Sequence, residues 1–218
     1  MKTAAFLFLA CGIVHASIII QVGNNPQPPE FNVLLTNGMT GTAVTGTFNQ
    51  VPNVNALFTS TQTLLEDASG QALIETANGS PLTNINLQLL TTAGTGLIFG
   101  DVIFALNPPN GNVPNPTFTI RANGTSGNAQ TLTGTVTTGN QFFTLVASNG
   151  EHMTSVNITS SGLEDIRQVR FSDIETVNGV PVPTSGGGEA PEASSLLMLG
   201  SGLVALPLLK RKSHSLSF

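Results

Sequence analysis

His152 is the only histidine between an apolar N-terminal run, which holds His15, and a C-terminal tail, which holds His214. A hydrolase of the Ser-His-Asp kind could use a lone histidine as its general base, and serines abound in this chain. Many such enzymes seat the nucleophile in a Gly-x-Ser-x-Gly elbow, which is missing from the sequence. His152 follows Asn149-Gly150-Glu151, which reads as a turn, so a solvated turn residue is expected there. A single histidine also excludes a multi-histidine zinc centre. Paired carboxylates could serve a glycosidase, which holds two acids across a sugar. The densest acids, Glu164, Asp165, Asp173 and Glu175, share the segment LEDIRQVRFSDIE with Arg167 and Arg170, and ion pairing explains them without catalysis. Calcium is a better minor reading, with Glu66, Asp67, Glu164 and Asp165 as candidates, although the chain has no Asp-x-Asp-x-Asp loop. The expectation is a non-enzymatic protein with no catalytic residue, no cofactor and no assigned metal ligand.

The elements that would position these residues are short strands. NINLQLL alternates Ile85, Leu87 and Leu89 with Asn84, Asn86 and Gln88, the period of two that marks a half-buried strand. TFTIRA does the same with Phe118 and Ile120, SVNIT with Val156 and Ile158, and QVRFS with Val169 and Phe171. LIFG and DVIFAL are continuously apolar, which places them deeper. Asn37-Gly38, Asn78-Gly79, Asn110-Gly111, Asn123-Gly124, Gly139-Asn140, Asn149-Gly150 and Asn178-Gly179 tolerate positive φ and are candidate turns. Many short strands at spacings of about ten residues predict an all-β fold, a single β-sandwich with jelly-roll or Greek-key connections over 17–180.

Composition narrows the function classes. Only 9% of residues are charged, and Trp and Tyr are absent. Between 17 and 188 ten acids face Arg121, Arg167 and Arg170, a net charge of −7 with no lysine. A surface of that sign offers nothing to a phosphate backbone, so no nucleic-acid partner is expected. Sugar recognition usually uses aromatic platforms, and only Phe could supply them here. The sole cysteine, Cys11, lies in the N-terminal run, which removes disulfides, thiolate metal sites and cysteine nucleophiles from the rest of the chain.

The two ends read as addresses. Lys2, the apolar stretch from Ala4 to Val14 and the small residues before Ser17 have the three-part layout of a secretory signal over 1–16, with cleavage between Ala16 and Ser17. Leu9-Ala10-Cys11 is only a loose match to a lipoprotein box. At the other end 196–209 carries no charge and spans roughly 21 Å as a helix, short for a bilayer of about 30 Å. The flanking Ala193, Ser194 and Ser195 lengthen it, and Lys210, Arg211 and Lys212 follow at once as a basic stop that keeps this end on the cytoplasmic face. A Pro/Gly-rich spacer, 181–190, precedes it and reads as a flexible stalk. A glycolipid-anchor signal would normally end without the basic cluster. Residues 213–218 form a short tail.

Taken together, Pro191-Glu192-Ala193, SSLLMLGSGLVALPLL and KRK resemble the PEP-CTERM sorting signal over 191–212. In that family a Pro-Glu-Pro motif precedes one membrane helix and a basic tail; here Ala193 stands in place of the second proline. The resemblance implies processing by an exosortase-type membrane peptidase, transient membrane anchoring, and display or release at the surface of bacteria that often make extracellular polysaccharide. The stretches SGQALIETANGSPLTNINLQL, GDVIFALN and NQFFTLVASNGEHMTSVNITSSGLEDIRQVRFS also resemble extracellular domains that precede this signal and have no assigned activity. The expected protein is an exported cell-surface or matrix protein anchored through its C-terminal helix. The alternatives are a calcium-dependent carbohydrate-binding module and, below that, a secreted glycoside-active enzyme.

Overall fold

The computed structural model describes residues 16–67, 70–109, 115–137 and 139–185. No helix occurs among them; they form thirteen strands. In order these are β1 (Ser17–Val22), β2 (Phe31–Leu35), β3 (Thr40–Phe48), β4 (Val54–Glu66), β5 (Gly70–Gln71), β6 (Leu73–Thr76), β7 (Leu82–Thr91), β8 (Gly96–Asn107), β9 (Thr117–Gly124), β10 (Ala129–Thr135), β11 (Gln141–Ser148), β12 (Met153–Leu163) and β13 (Asp165–Thr176). Every pairing between them is antiparallel.

The expected all-β character holds, with an arrangement that differs from two separate sheets. One sheet runs β8, β13, β2, β3, β4, β7, β12 and then closes, because Met153 of β12 pairs back to Phe99 of β8. β7 reaches β8 as well, through Leu89↔Leu97 and Leu90↔Gly96. The result is a closed seven-strand barrel. Closure removes the exposed edges that an open sheet of these seven strands would present. β11 and β1 extend from β8, and β9 and β10 extend from β12.

Burial follows the sequence pattern. Ile85, Leu87 and Leu89 are buried on β7, and Asn84, Asn86 and Gln88 between them are half-buried. On β8 every residue from Leu97 to Leu106 is buried, because the strand serves the barrel and the β11–β1 extension together. Phe171 packs edge-on against Phe99 with ring centroids 4.9 Å apart, and against Phe48 at 6.1 Å. Phe143 of β11 meets Phe104 of β8 at 6.0 Å and Phe118 of β9 at 4.8 Å, so both extensions join the one apolar core that also holds Phe99 and Phe171. Such aromatic pairs each add about 0.5–1.5 kcal/mol beyond the burial itself.

Several expected turns close as the dipeptides require. Gly38, Gly79, Gly139 and Gly179 have positive φ, and Asn149-Gly150 has φ of 60° and 78°. At the β9–β10 connection the positive φ falls on Gly127 rather than on Asn123-Gly124, which belong to β9.

The body also runs past the boundary expected at 180. Pro181 bridges Glu175, Val182 N–H donates to the Ile174 carbonyl at 3.0 Å, and Ser185 N–H donates to the Gln50 carbonyl at 2.7 Å. The first part of the expected stalk is therefore bound to the sheet, and the unit that holds the sheet ends at Ser185. The expected signal up to residue 15, the Pro191-Glu192-Ala193 motif, the helix 196–209 and Lys210, Arg211 and Lys212 lie outside the described residues. No helix among the described residues is long and apolar enough to cross a membrane.

Candidate functional site

Three titratable side chains meet at the point where the barrel closes. Phe99 pairs with both Met153 of β12 and Ile174 of β13. His152 precedes Met153, and Asp173 and Glu175 flank Ile174, so three polar side chains straddle β8 at the seam. His152 Nε2 lies 3.4 Å from Asp173 Oδ2 and 3.5 Å from Glu175 Oε2. The imidazole is not the solvated turn residue expected from sequence, since its side chain is only 20% exposed.

Two local features bring these groups together. Asp173 has a φ of 51°, a left-handed conformation uncommon for a residue with a side chain, and it interrupts the ladder between Ser172↔Asp101 and Ile174↔Phe99. Its carboxylate lies over Gly100, where an added Cβ would meet Asp173 Oδ2 at 2.5 Å and Cβ at 2.7 Å. Glycine at 100 is thus required for Asp173 to cross β8. On the other side Glu151 anchors the histidine's segment. Its carboxylate is buried and accepts from Thr125 Oγ1 at 2.7 Å, from Ser126 N–H at 3.0 Å and from Ser126 Oγ. Burial pushes this carboxyl upward, and the hydrogen bonds from Ser126 and Thr125 outweigh it, holding Glu151 down at about 2. Thr125 N–H also donates to the His152 carbonyl at 2.9 Å, which ties the β9–β10 turn to the start of β12.

Next to the seam a cleft of about 470 Å³ is lined by Asp101, Asp173, Phe31, Pro28, Val146 and Val182, among others. Asp101 is 4% exposed, and its Oδ1 has no hydrogen-bond partner among the described residues. Burial, and then the charges of Glu30 and Asp173, push its carboxyl up to about 7. Glu30 is itself engaged, accepting from Arg170 Nη1 at 2.8 Å and from Gln27 N–H at 2.8 Å.

The acidic segment singled out in the sequence is thereby divided. Asp173 and Glu175 face His152, whereas Asp165 is paired with Arg167 and accepts from Asn107 Nδ2 at 3.2 Å, with Glu164 on the same amide at 3.3 Å. The ion-pair expectation fits Asp165 with Arg167, whereas Arg170 pairs outside the segment, with Glu30. The four calcium candidates do not form one group. Glu66 is buried and accepts from Asn37 N–H at 2.9 Å. Among the described residues, His152, Asp173 and Glu175 are the group whose side chains converge closely enough to share a metal ion. Asp101 was legible in one respect, as a lone carboxylate inside the apolar run LIFGDVIFAL. Its partnership with Asp173 had no signal in the sequence.

Ala16 and Ser17, the expected cleavage pair, sit at the entry to β1, where Ser17 pairs with Ser148 and donates to or accepts from its hydroxyl at 3.0 Å. The chain matches no family model, and comparisons with curated proteins and with solved structures return no match.

Proposed function

We propose that this chain is an exported, non-enzymatic cell-surface or extracellular-matrix protein whose β-barrel body is carried between two address segments. One observation carries the reading: Ser17, the first residue after the expected cleavage point, is also the first residue of β1. A signal removed after Ala16 leaves every strand whole, and a cut a few residues later would strip β1 from β11.

The C-terminal segment supplies the rest of the proposal. In this reading the PEP-CTERM-like signal at Pro191, Glu192 and Ala193 presents the chain to an exosortase-type membrane peptidase. The helix 196–209 holds it in the membrane, Lys210, Arg211 and Lys212 stay on the cytoplasmic side, and the body is then displayed or released outside. The body's surface chemistry supports this placement, since Asn, Thr, Ser and Gln keep a lysine-free sheet soluble without a thiol. The finer description of the fold as a jelly-roll or Greek-key sandwich belongs to the same proposal, with the β11–β1 and β9–β10 extensions as facing layers. An extracellular polysaccharide is the partner this reading supplies for the body.

Mass spectrometry of the native protein from cell and medium fractions tests the reading. A mature N-terminus at Ser17 and a C-terminus shortened near Pro191 are expected; a native chain that keeps Met1 and Phe218 overturns it.

A further inference from the structure

The seam of the barrel carries more than display requires. We propose that His152, Asp173 and Glu175 form a binding site for a divalent metal ion of the zinc type, which staples β12 to β13 across β8.

The separations suit a metal ion. Two carboxylates that face one imidazole nitrogen need positive charge between them. A proton on the ring would form hydrogen bonds of about 2.7–3.2 Å, and the observed 3.4 and 3.5 Å are longer than that. A tetrahedral ion about 2.1 Å from each donor holds neighbouring donors about 3.4 Å apart, which the two imidazole–carboxylate edges already meet. The third edge, between the carboxylate oxygens, is no wider than 4.8 Å. Like charges hold that edge open, and a bound cation would draw it in.

The donors also select the metal. Imidazole nitrogen suits zinc and its neighbours, whereas calcium takes six to eight oxygens, more than this group offers. A fourth position is left facing solvent on the side of Asp173, whose side chain is 61% exposed.

Asp101 adds a further acid beside the group. It is a buried carboxylate in the cleft that Asp173 also lines, and its Oδ1 accepts no hydrogen bond among the described residues. The other charged groups nearby, Glu30 and Arg170, neutralise each other. Asp173 and Glu175 are thus left with His152 alone to oppose them, which favours a cation.

Calorimetric titration of the metal-stripped full chain with Zn²⁺ tests the site. One Zn²⁺ per chain is expected, with Kd raised at least tenfold by His152→Ala, by Asp173→Asn and by the near-isosteric Glu175→Gln. Equal affinity in the folded variants would place the ion elsewhere, for example on His15 or His214, and would sink the proposal. So would an absence of binding, or Ca²⁺ binding at these three residues in preference to Zn²⁺. Substitution with Co²⁺ gives a readout on the unaltered chain that decides alone should a variant not fold. Intense visible bands of a low-coordinate Co²⁺ support the site, and the weak bands of the octahedral aquo ion overturn it.

Discussion

Gly100 has no side chain, and Asp173 occupies the room that one would take. Gly100→Ala places a methyl 2.7 Å from the Asp173 Cβ, a group that cannot swing away as a carboxylate tip could. The expected cost is about 1–3 kcal/mol in a thermal or denaturant melt. Because the clash lies on the Cβ, Asp173→Gly should recover most of that loss in the Gly100→Ala background while Asp173→Asn should not, a double-mutant cycle that isolates the contact. Glu151 gives a second test with a defined sign. Its folded-state carboxyl is depressed to about 2 from an ordinary 4.5, so its stabilising contribution is complete above about pH 4.5 and fades as pH falls toward 2. Glu151→Gln should therefore lower stability by about 1–3 kcal/mol at pH 7, and the gap between variant and parent should narrow in melts below pH 4. A gap that is constant with pH would mean that the carboxylate's charge is irrelevant to the Ser126 and Thr125 contacts.

At the scale of elements, β8 and β7 behave differently because one is covered on both faces and the other on one. Ile103 and Phe104 are consecutive and both buried, so Ile103→Ala and Phe104→Ala should each cost about 2–5 kcal/mol. On β7 the same substitution at Leu87 should cost a comparable amount, while Asn86→Ser stays within about 0.5 kcal/mol. Urea melts of the four variants check this directly. The contrast was legible in the residues themselves, since LIFGDVIFAL lacks the alternation that NINLQLL shows. What a period cannot supply is the identity of a strand's neighbours. Ile85, Leu87 and Leu89 say which face of β7 is apolar; nothing in them says that β12 will lie on one side and β4 on the other. The closed circuit and the gathering of His152 with Asp173 and Glu175 both depend on such neighbours. The Asn149-Gly150 turn pointed His152 to solvent, and only the pairing of Met153 and Ile174 with the same Phe99 turns it inward.

For the molecule as a whole, the boundary at Ser185 has a measurable consequence. Pro, Gly and Ser mark 181–190 as a spacer by composition, yet composition does not report whether a backbone N–H finds an acceptor. Val182 and Ser185 do find one, on Ile174 and Gln50. A chain that spans 17–185 should outlast one that spans 17–180 by about 1–3 kcal/mol in denaturant melts, the scale of two backbone hydrogen bonds. Equal stabilities would return the boundary to residue 180.

The order in which the staves are delivered has a bearing on the proposed export. β1 must wait for β11, and β13, the last of the described strands, slots between β8 and β2. A ring whose keystone is synthesised last cannot lock while it is still being threaded, so loops that span most of the chain must be closed at once and late. Such a polypeptide stays pliable until residue 176 has emerged. Under the proposed export through a narrow translocation pore, that delay is an asset.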